Sequence, residues 1–233
     1  EVDLTNPKDW IAIDINESNV TGVSSKGEFF QVDTSEVKRI HHTYFEKRRN
    51  IQRKVDGRKV RNMLLAKYGK REKNRVKDEL HKIANVIVEK AKQSDCGIII
   101  EDLTGIRKHI DYGRKMNRRL HSWNFRQLQF YIEYKAKLNG LPVVYVNPKG
   151  TSSHCPICGE NLAPNGQWRE KVCKKCGIVW NRDVVACLNM LKMWGVSFPP
   201  KAPESGCGGT AKGCYLKLLN VPVAENGRLK NTN

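Results

Sequence analysis

The sequence predicts an α/β fold, a mixed sheet flanked by helices, with a small metal-binding module inserted late in the chain. Three observations lead to this prediction. Short apolar runs of the kind found in strands alternate with long stretches of helical periodicity. Two Cys-x-x-Cys hooks lie within residues 151–180, and a last helical segment follows them directly. We therefore expect one large core and one small module.

The hydrophobic pattern sets the order of the predicted elements. Runs rich in β-branched residues, such as WIAIDI at 10–15 and GIIIEDL at 97–103, predict strands. A highly charged stretch with almost no proline predicts long helices, with expected breaks near Gly57 and Gly69. In chain order we predict a strand at 10–15, a hairpin of strands at 20–24 and 28–32, helices over 36–92, a strand at 97–103, a helix over 124–140, a strand at 142–146, the module at 151–180 and a helix at 184–194.

The two hooks predict a zinc ribbon. Each hook offers two sulfurs from one tight turn, so that two hooks supply the four corners of a tetrahedral zinc site. A glycine follows the second cysteine of each hook, where the closing turn favours a residue that tolerates positive φ. The predicted ligands of this structural zinc are Cys155, Cys158, Cys173 and Cys176.

Charge and composition indicate a nucleic-acid partner. Lys plus Arg outnumber Asp plus Glu by 42 to 24 in 233 residues, and the formal charge of +18 favours a polyanion. No apolar run approaches about 18 residues and no signal peptide is visible, so we expect no membrane and a cytoplasmic protein. Eight cysteines could indicate a secreted disulfide framework, but the two hooks, the absent signal peptide and the basic balance favour zinc in a reducing cytosol. Cys96 and Cys187 are expected to be small core residues, whereas Cys207 and Cys214 have no second hook.

Three carboxylates fall at informative places: Asp14 on the first predicted strand, Glu101 at the end of the fourth, and Asp183 at the start of the last helix. With the first strand at the centre of the sheet and the fourth beside it, Asp14 and Glu101 are neighbours, and the helix can bring Asp183 to them. Such a trio repels itself unless cations bind, and magnesium, or manganese in its place, suits oxygen ligands. Two such ions about 3.5–4 Å apart would support in-line hydrolysis of a phosphodiester.

Each carboxylate also has a structural interpretation. Asp14 suits a turn or a solvated strand end, and Asp183 suits the N-cap of a helix. Glu101 and Asp102 are adjacent, so only one of them faces the interior, because side chains alternate along a strand. We favour Glu101, since it directly continues the isoleucine run.

Basic segments suggest where nucleic acid binds. Residues 38–82 hold 17 Lys or Arg against 5 Asp or Glu, an excess that favours backbone contact over a merely solvated helical face. His41, Tyr44 and Phe45 offer stacking or packing surface there, and Trp123 and Trp168 suit either role. A second basic cluster is expected to form a flexible loop beside the carboxylates: Arg107, Lys108, Arg114, Lys115, Arg118 and Arg119.

The motifs together resemble a known family. AIDIN around Asp14, IIIEDL around Glu101, the CPICG and CKKCG knuckles, and NRDVVACLNML around Asp183 are similar to the RuvC-type nuclease half of TnpB (OrfB) transposon-encoded proteins, relatives of the type V CRISPR effector nucleases. The resemblance implies an RNase H-like (RuvC) fold and RNA-guided, magnesium-dependent cutting of DNA in a prokaryotic cell. It also implies that Asp14, Glu101 and Asp183 are the catalytic residues.

The resemblance also shapes the expected domain organisation. We expect a nuclease core at 1–150 with a basic helical segment at about 36–93, the zinc ribbon at 151–180, the final catalytic helix at 181–196, and a largely disordered tail at 197–233. The first residue is Glu1 rather than Met, which indicates a piece of a longer protein. The family's N-terminal region, which helps bind guide RNA, is expected to be missing.

Two other functions remain open at this stage. One is a non-catalytic nucleic-acid-binding module, in which the ribbon and the basic helices bind RNA or DNA. The other is a transposase or recombinase that joins strands on the same fold.

Overall fold

The computed structural model describes residues 3–104, 113, 117 and 123–196. Across these residues, no helix is long and apolar enough to span a membrane. The elements, in chain order, are β1 (Asp9–Ile15), β2 (Asn19–Ser24), β3 (Phe29–Asp33), α1 (Ser35–Lys54), α2 (Arg58–Gln93), β4 (Cys96–Glu101), α3 (Phe125–Leu138), β5 (Val143–Val146), β6 (Ala163–Asn165), β7 (Gln167–Val172), β8 (Val179–Asn181) and α4 (Arg182–Met193).

The main sheet is mixed and has five strands in the order β3-β2-β1-β4-β5. The central strand, β1, pairs antiparallel with β2 and parallel with β4. On one side of the sheet β2 pairs antiparallel with β3, and on the other side β4 pairs parallel with β5. The prediction that the first strand is central, with the fourth beside it, is confirmed.

Alternation along the strands builds two different cores on the two faces of the sheet. Ile11 and Ile13 face a core that includes buried residues of α1, α2 and α3. Ala12 and Ile99 face the opposite core, which is formed with α4 and with the buried cysteines and Trp180 of residues 151–180. The sheet is therefore covered on both faces, and α4 lies on the face that carries the even-numbered residues of β1.

Helices α1 and α2 form a hairpin whose far end extends beyond the core. The buried residues of α1 end at Tyr44, and those of α2 begin at Glu72. Glu72 pairs with Arg48 and with His41, whose Nδ1 lies 2.8 Å from Glu72 Oε1, so the two helices are clamped where they leave the core. Between these limits, residues 45–71 contain 11 Lys or Arg and 2 Asp or Glu. We call this segment the basic arm.

The helix break expected near Gly57 is present, but the one expected near Gly69 is wrong. α1 ends at Lys54 and α2 begins at Arg58, whereas α2 runs without interruption through Gly69 for 36 residues. A glycine inside a helix costs only about 1 kcal/mol relative to alanine, which is too little to stop a helix with many strong helix formers around it.

Gly69→Ala is expected to stabilise the protein by roughly 0.5–1 kcal/mol, because alanine keeps the helical backbone and loses less entropy on folding. A Cβ at Gly69 meets nothing within 4 Å. Gly97→Ala in β4 is the contrasting variant, since a Cβ there would lie 2.5 Å from the Trp10 ring. It should destabilise by about 1–3 kcal/mol. Urea unfolding of both variants measures the two effects, and a destabilised Gly69→Ala would contradict the helical interpretation.

The three-stranded sheet β6-β7-β8 belongs to the module at 151–180, which we call the ribbon. β7 pairs antiparallel with both neighbours, and β8 leads directly into α4. The ribbon therefore connects the end of β5 to the start of α4, so its folding determines where α4 begins. The predicted tail at 197–233 lies outside the described residues.

Candidate metal centres

Strand register places Asp14 and Glu101 next to each other. β1 and β4 are parallel neighbours, and Ile13 is the register partner of Ile100. The next residues along the two strands are Asp14 and Glu101, and neighbouring strands lie about 4.8 Å apart. Because Ala12 and Ile99 face the α4 side, Asp14 and Glu101 face that side too.

The start of α4 brings the third carboxylate to the same place. Asn181 is the N-cap of α4, and its side-chain oxygen accepts a hydrogen bond of 2.9 Å from the backbone N–H of Asp183. The alternative that Asp183 caps the helix is therefore wrong, because Asn181 has that role. Asp183 lies in the first turn with only 3% of its surface exposed. Val185 and Leu188, both buried, pack α4 onto the sheet and hold the turn there.

Asp183 is paired with Arg169, whereas burial makes ionisation of Asp14 and of Glu101 unfavourable. Burial raises the pKa of Asp14 to about 7, and the charges of Glu101 and Asp183 act in the same direction. Burial also raises the pKa of Glu101. The positive charge of Arg182 opposes both shifts without cancelling them. The three side chains are thus close enough to interact, and the fold holds them at a cost in stability.

Asp14 and Glu101 are each fixed through one oxygen. Asn16 donates to Asp14 Oδ2 at 2.7 Å, and the Thr151 hydroxyl donates to Glu101 Oε1 at 2.7 Å. The second oxygen of each carboxylate takes part in neither bond. Asp102, the weaker candidate, points away and accepts from the backbone N–H of Thr104 at 2.8 Å, in an exposed turn.

Sequence reasoning missed two residues that contact Asp183. Arg169 of β7 donates to Asp183 Oδ2 at 2.5 Å, and Asn19 of β2 donates to the same oxygen at 3.4 Å. Asn19 is 8% exposed, and its Oδ1 is a buried atom that has no hydrogen-bond partner among the described residues. No periodic signal marks either contact, because Arg169 lies in the ribbon and Asn19 is 164 residues away from Asp183.

The four cysteines form the tighter cluster. Their sulfurs all lie within 4.8 Å of one another, and within the described part of the chain no other set of His, Cys, Asp and Glu ligand atoms is so compact. The Sγ atoms of Cys158 and Cys173 are 3.5 Å apart, close to the separation of about 3.8 Å in a tetrahedron with metal–sulfur bonds of about 2.3 Å. The cysteines therefore fit one tetrahedral metal ion.

The two hooks have nearly the same backbone geometry. The N–H of Gly159 donates to the carbonyl of Cys155 at 2.9 Å, and that of Gly177 donates to the carbonyl of Cys173 at 2.8 Å. Both glycines have positive φ, 75° and 67°, which confirms the prediction made for these positions. A backbone hydrogen bond from Glu160 lowers the pKa of the Cys158 thiol to about 7. Burial raises the pKa of the Cys155 thiol, and hydrogen bonding to Cys158 raises that of Cys176, so without a metal only the Cys158 thiol is favoured as a thiolate.

The remaining predicted residues divide between packing and exposure. His41 bonds to Glu72 and Asn124, and Tyr44 is buried, so neither presents a stacking surface. Trp123 packs on Phe125 with ring centroids 5.0 Å apart, whereas Trp168 is 77% exposed.

Cys96 and Cys187 are buried, as expected. The second basic cluster (Arg107, Lys108, Arg114, Lys115, Arg118 and Arg119) and the pair Cys207 and Cys214 lie outside the described residues.

Comparison with solved structures identifies the fold. The chain superposes on a CRISPR-Cas12f ternary complex with a TM-score of 0.65 and 22% identity, over 88% of this chain and 41% of that one. A complex of Cas12f1 with sgRNA and target DNA gives a TM-score of 0.62 and 20% identity, over 81% and 51% of the two chains. With the observed strand order, this likeness confirms the RNase H-like (RuvC) fold class. The chain spans about half the length of these solved proteins or less.

Comparison of sequences identifies the family. Residues 125–190 match the family described as Cas12f1-like, TNB domain. The CRISPR-associated endodeoxyribonuclease Cas12f1 of Sulfoacidibacillus thermotolerans is 38% identical over 113 residues, which cover 47% of this chain and 25% of that protein. TnpB-like protein MJ0751 of Methanocaldococcus jannaschii is 44% identical over 199 residues, which cover 81% of this chain and 71% of the relative. At that identity and coverage, the chain belongs to the TnpB-like protein family.

Proposed function

We propose that this chain is the nuclease part of an RNA-guided DNA endonuclease that cuts phosphodiesters with magnesium held by Asp14, Glu101 and Asp183. The observation that carries the proposal is the trio itself. Three carboxylates from β1, β4 and α4 meet on one face of the sheet, and the pKa of Asp14 is raised to about 7. A fold that keeps like charges together at a cost in stability usually does so for function.

The donor set fits a hard divalent cation. Carboxylate oxygens are the ligands that magnesium prefers, and manganese accepts the same set. The second oxygens of Asp14 and Glu101, which the bonds from Asn16 and Thr151 do not use, are suited to a cation or its waters. The partnerless Oδ1 of Asn19, beside Asp183, is one more buried oxygen that a bound cation or its waters would satisfy.

The surrounding residues have separate roles in this proposal. Bound magnesium would supply an activated water and stabilise the leaving oxygen. Asn16 and Thr151 fix the orientation of Asp14 and Glu101. Arg169 balances the charge of Asp183, and Arg182 lowers the repulsion felt by the other two carboxylates.

We further propose that the cysteine cluster holds zinc with a structural role. All four ligands are cysteine sulfurs, which leave no position for a substrate, and their spacing suits tetrahedral zinc. The ribbon brings Thr151 and Arg169 to the carboxylates, so the zinc organises the active site without taking part in the reaction.

The proposed partners are DNA and guide RNA. The basic arm carries a net charge of +9, from 11 basic and 2 acidic residues, and none of its residues is fully buried. A strongly basic surface of this kind binds phosphate backbones, and the binding releases the counterions of the nucleic acid. One solved structure of similar fold is a complex of Cas12f1 with sgRNA and target DNA. We propose that the whole protein uses guide RNA to choose its DNA target and then cuts that target.

The test is to incubate zinc-loaded protein with labelled single-stranded DNA, with and without magnesium, beside an Asp183→Ala variant. We expect magnesium-dependent cutting that the variant loses. Magnesium should also raise the unfolding temperature of the wild-type protein and not that of the variant, a readout that needs no guide RNA. Equal DNA binding by both proteins, without cutting and without a magnesium effect on unfolding, would instead support the non-catalytic binding module. Joined products would support strand transfer.

A further inference from the structure

The ribbon carries an aromatic surface that the proposed cleavage chemistry does not use. Trp168 is 77% exposed, the largest exposed fraction among the large hydrophobic residues of the described chain. It is the second residue of β7, just after the hairpin tip at Gly166, whose φ is 72°. Tryptophan is usually well buried, and an exposed indole on a short hairpin loses that stabilisation. The exposed ring is therefore accessible to a ligand.

The guanidinium groups of two arginines lie over the Trp168 ring. The guanidinium carbon of Arg169 lies 5.2 Å from the Trp168 ring centroid, and that of Arg182 lies 5.9 Å from it. Guanidinium groups within about 6 Å of an indole are attracted to its face. The contacts hold the ring in place and surround it with positive charge, so the surface is both aromatic and cationic.

Arg169 also connects this aromatic surface to the carboxylates. Arg169 donates to Asp183 Oδ2 at 2.5 Å while its guanidinium lies beside the indole. Arg182 precedes Asp183 directly and interacts electrostatically with Asp14 and Glu101. A ligand on Trp168 would therefore be separated from Asp183 by the side chain of Arg169.

We propose that Trp168, with Arg169 and Arg182, is a stacking platform for an unpaired base of single-stranded nucleic acid that passes the carboxylates. A base offers the flat face that an indole stacks on, and its phosphate offers the negative charge that the arginines attract. A base inside a duplex already has both faces covered by its neighbours, so the platform selects unpaired strands. The two arginines make the surface unsuited to a purely apolar protein partner.

This inference deepens the proposed function, because it assigns the element that positions the strand to be cut. Base–aromatic stacking tolerates every base, so the platform would hold a strand without reading its sequence. Trp168 is a positioning residue in this scheme, since it contacts the substrate away from the bond that breaks.

The test measures binding rather than cutting. Zinc-loaded protein without added magnesium is titrated against a fluorescein-labelled oligodeoxythymidylate of about 12 nucleotides, within the usual range of single-strand sites. The second probe is the same strand with abasic residues in its centre, and the third is a duplex of equal length. Fluorescence anisotropy gives each dissociation constant for the wild type and for Trp168→Ala, Trp168→Gln and Trp168→Phe. Phe130→Ala, which removes an aromatic that is 60% exposed on α3, is the matched control.

We expect Trp168→Ala and Trp168→Gln to weaken binding of the oligodeoxythymidylate about five-fold or more, the loss of one stacked base. Trp168→Phe should stay within about two-fold of the wild type, because it keeps a ring to stack on. Neither the abasic strand nor the duplex should respond to any of these variants, and Phe130→Ala should bind every probe normally. The salt dependence should not change, since no charge is removed.

Unchanged affinity of both Trp168→Ala and Trp168→Gln for the oligodeoxythymidylate would overturn the proposal. So would an equal loss for the abasic strand, because that loss would reflect a damaged ribbon instead of stacking. Zinc content and thermal unfolding verify the fold of each variant. If the protein cuts DNA but Trp168→Ala binds the oligodeoxythymidylate normally, the platform proposal is wrong and the nuclease proposal stands. If Trp168→Ala shows a base-specific loss of binding but the protein does not cut, the platform proposal stands and the nuclease proposal is wrong.

Discussion

Asp14→Asn is expected to make the metal-free protein more stable while reducing cleavage by at least about 100-fold. Loss of a residue that only orients a metal ligand already costs about 10–100-fold, so loss of a ligand should cost more. Stability changes in the opposite direction, because the carboxylate of Asp14 is ionised in an unfavourable place. The pKa of Asp14 is raised from 3.8 to about 7, chiefly by burial.

The stability gain should depend on pH in a defined direction. Between about pH 4 and 7 the unfolded chain gives up this proton before the folded one does, so the wild-type fold loses stability as pH rises. A shift of about three pKa units corresponds to about 4 kcal/mol, which is the upper limit of the gain above pH 7. Asparagine does not titrate and avoids this loss. Urea unfolding without magnesium should therefore show a larger difference between the two proteins at pH 8 than at pH 5.

Asp102→Asn is the matched control for this prediction. Asp102 is adjacent to Glu101 but lies in an exposed turn, where its Oδ1 accepts from the backbone N–H of Thr104, a bond that asparagine retains. Cleavage should stay at the wild-type level, and stability should change by less than about 0.5 kcal/mol. An Asp14→Asn protein that is less stable than the wild type at pH 8, or that still cuts, would contradict the role assigned to Asp14.

The parts of the fold that could be predicted from sequence are those set by local pattern. The isoleucines of β4 lie in a strand with both faces covered, so an uninterrupted apolar run is the expected signal. The hooks are equally local, since each turn closes within five residues and carries its own glycine. The adjacency of Asp14 and Glu101 followed from one further assumption, that the first and fourth strands are parallel neighbours.

The parts that could not be predicted depend on contacts between distant segments or on small energy differences. Arg169 reaches Asp183 only because the ribbon folds back over the start of α4, and one arginine among the many in this chain has no distinguishing signal. Asp183 suits an N-cap by residue type alone, but asparagine caps helices about equally well. Because α4 begins at Arg182, the N-cap is Asn181.

Removing the metal from the cysteine cluster, or changing Cys173 to Ser, is expected to unfold the ribbon and abolish cleavage while the main sheet stays folded. Cys155 and Cys173 are almost completely buried and lie in the same core as Val185 and Leu188, so an empty cluster leaves polar thiols without ligation. The strands of the ribbon have three to six residues, too few to hold the module together alone. Structural zinc contributes about 10–16 kcal/mol of apparent binding free energy at pH 7 in small zinc modules.

Hydrogen exchange followed by mass spectrometry separates this outcome from global unfolding. After chelation, residues 151–181 should lose protection, while β1 and β4, at the centre of the five-stranded sheet, should keep it. Cleavage is lost in the same step because Thr151 and Arg169 no longer reach Glu101 and Asp183. Cys96→Ala, which removes a buried thiol outside the cluster, should retain full metal content and full ribbon protection. A chelated protein with a protected ribbon would show that packing against α4, and not the metal, holds the module in place.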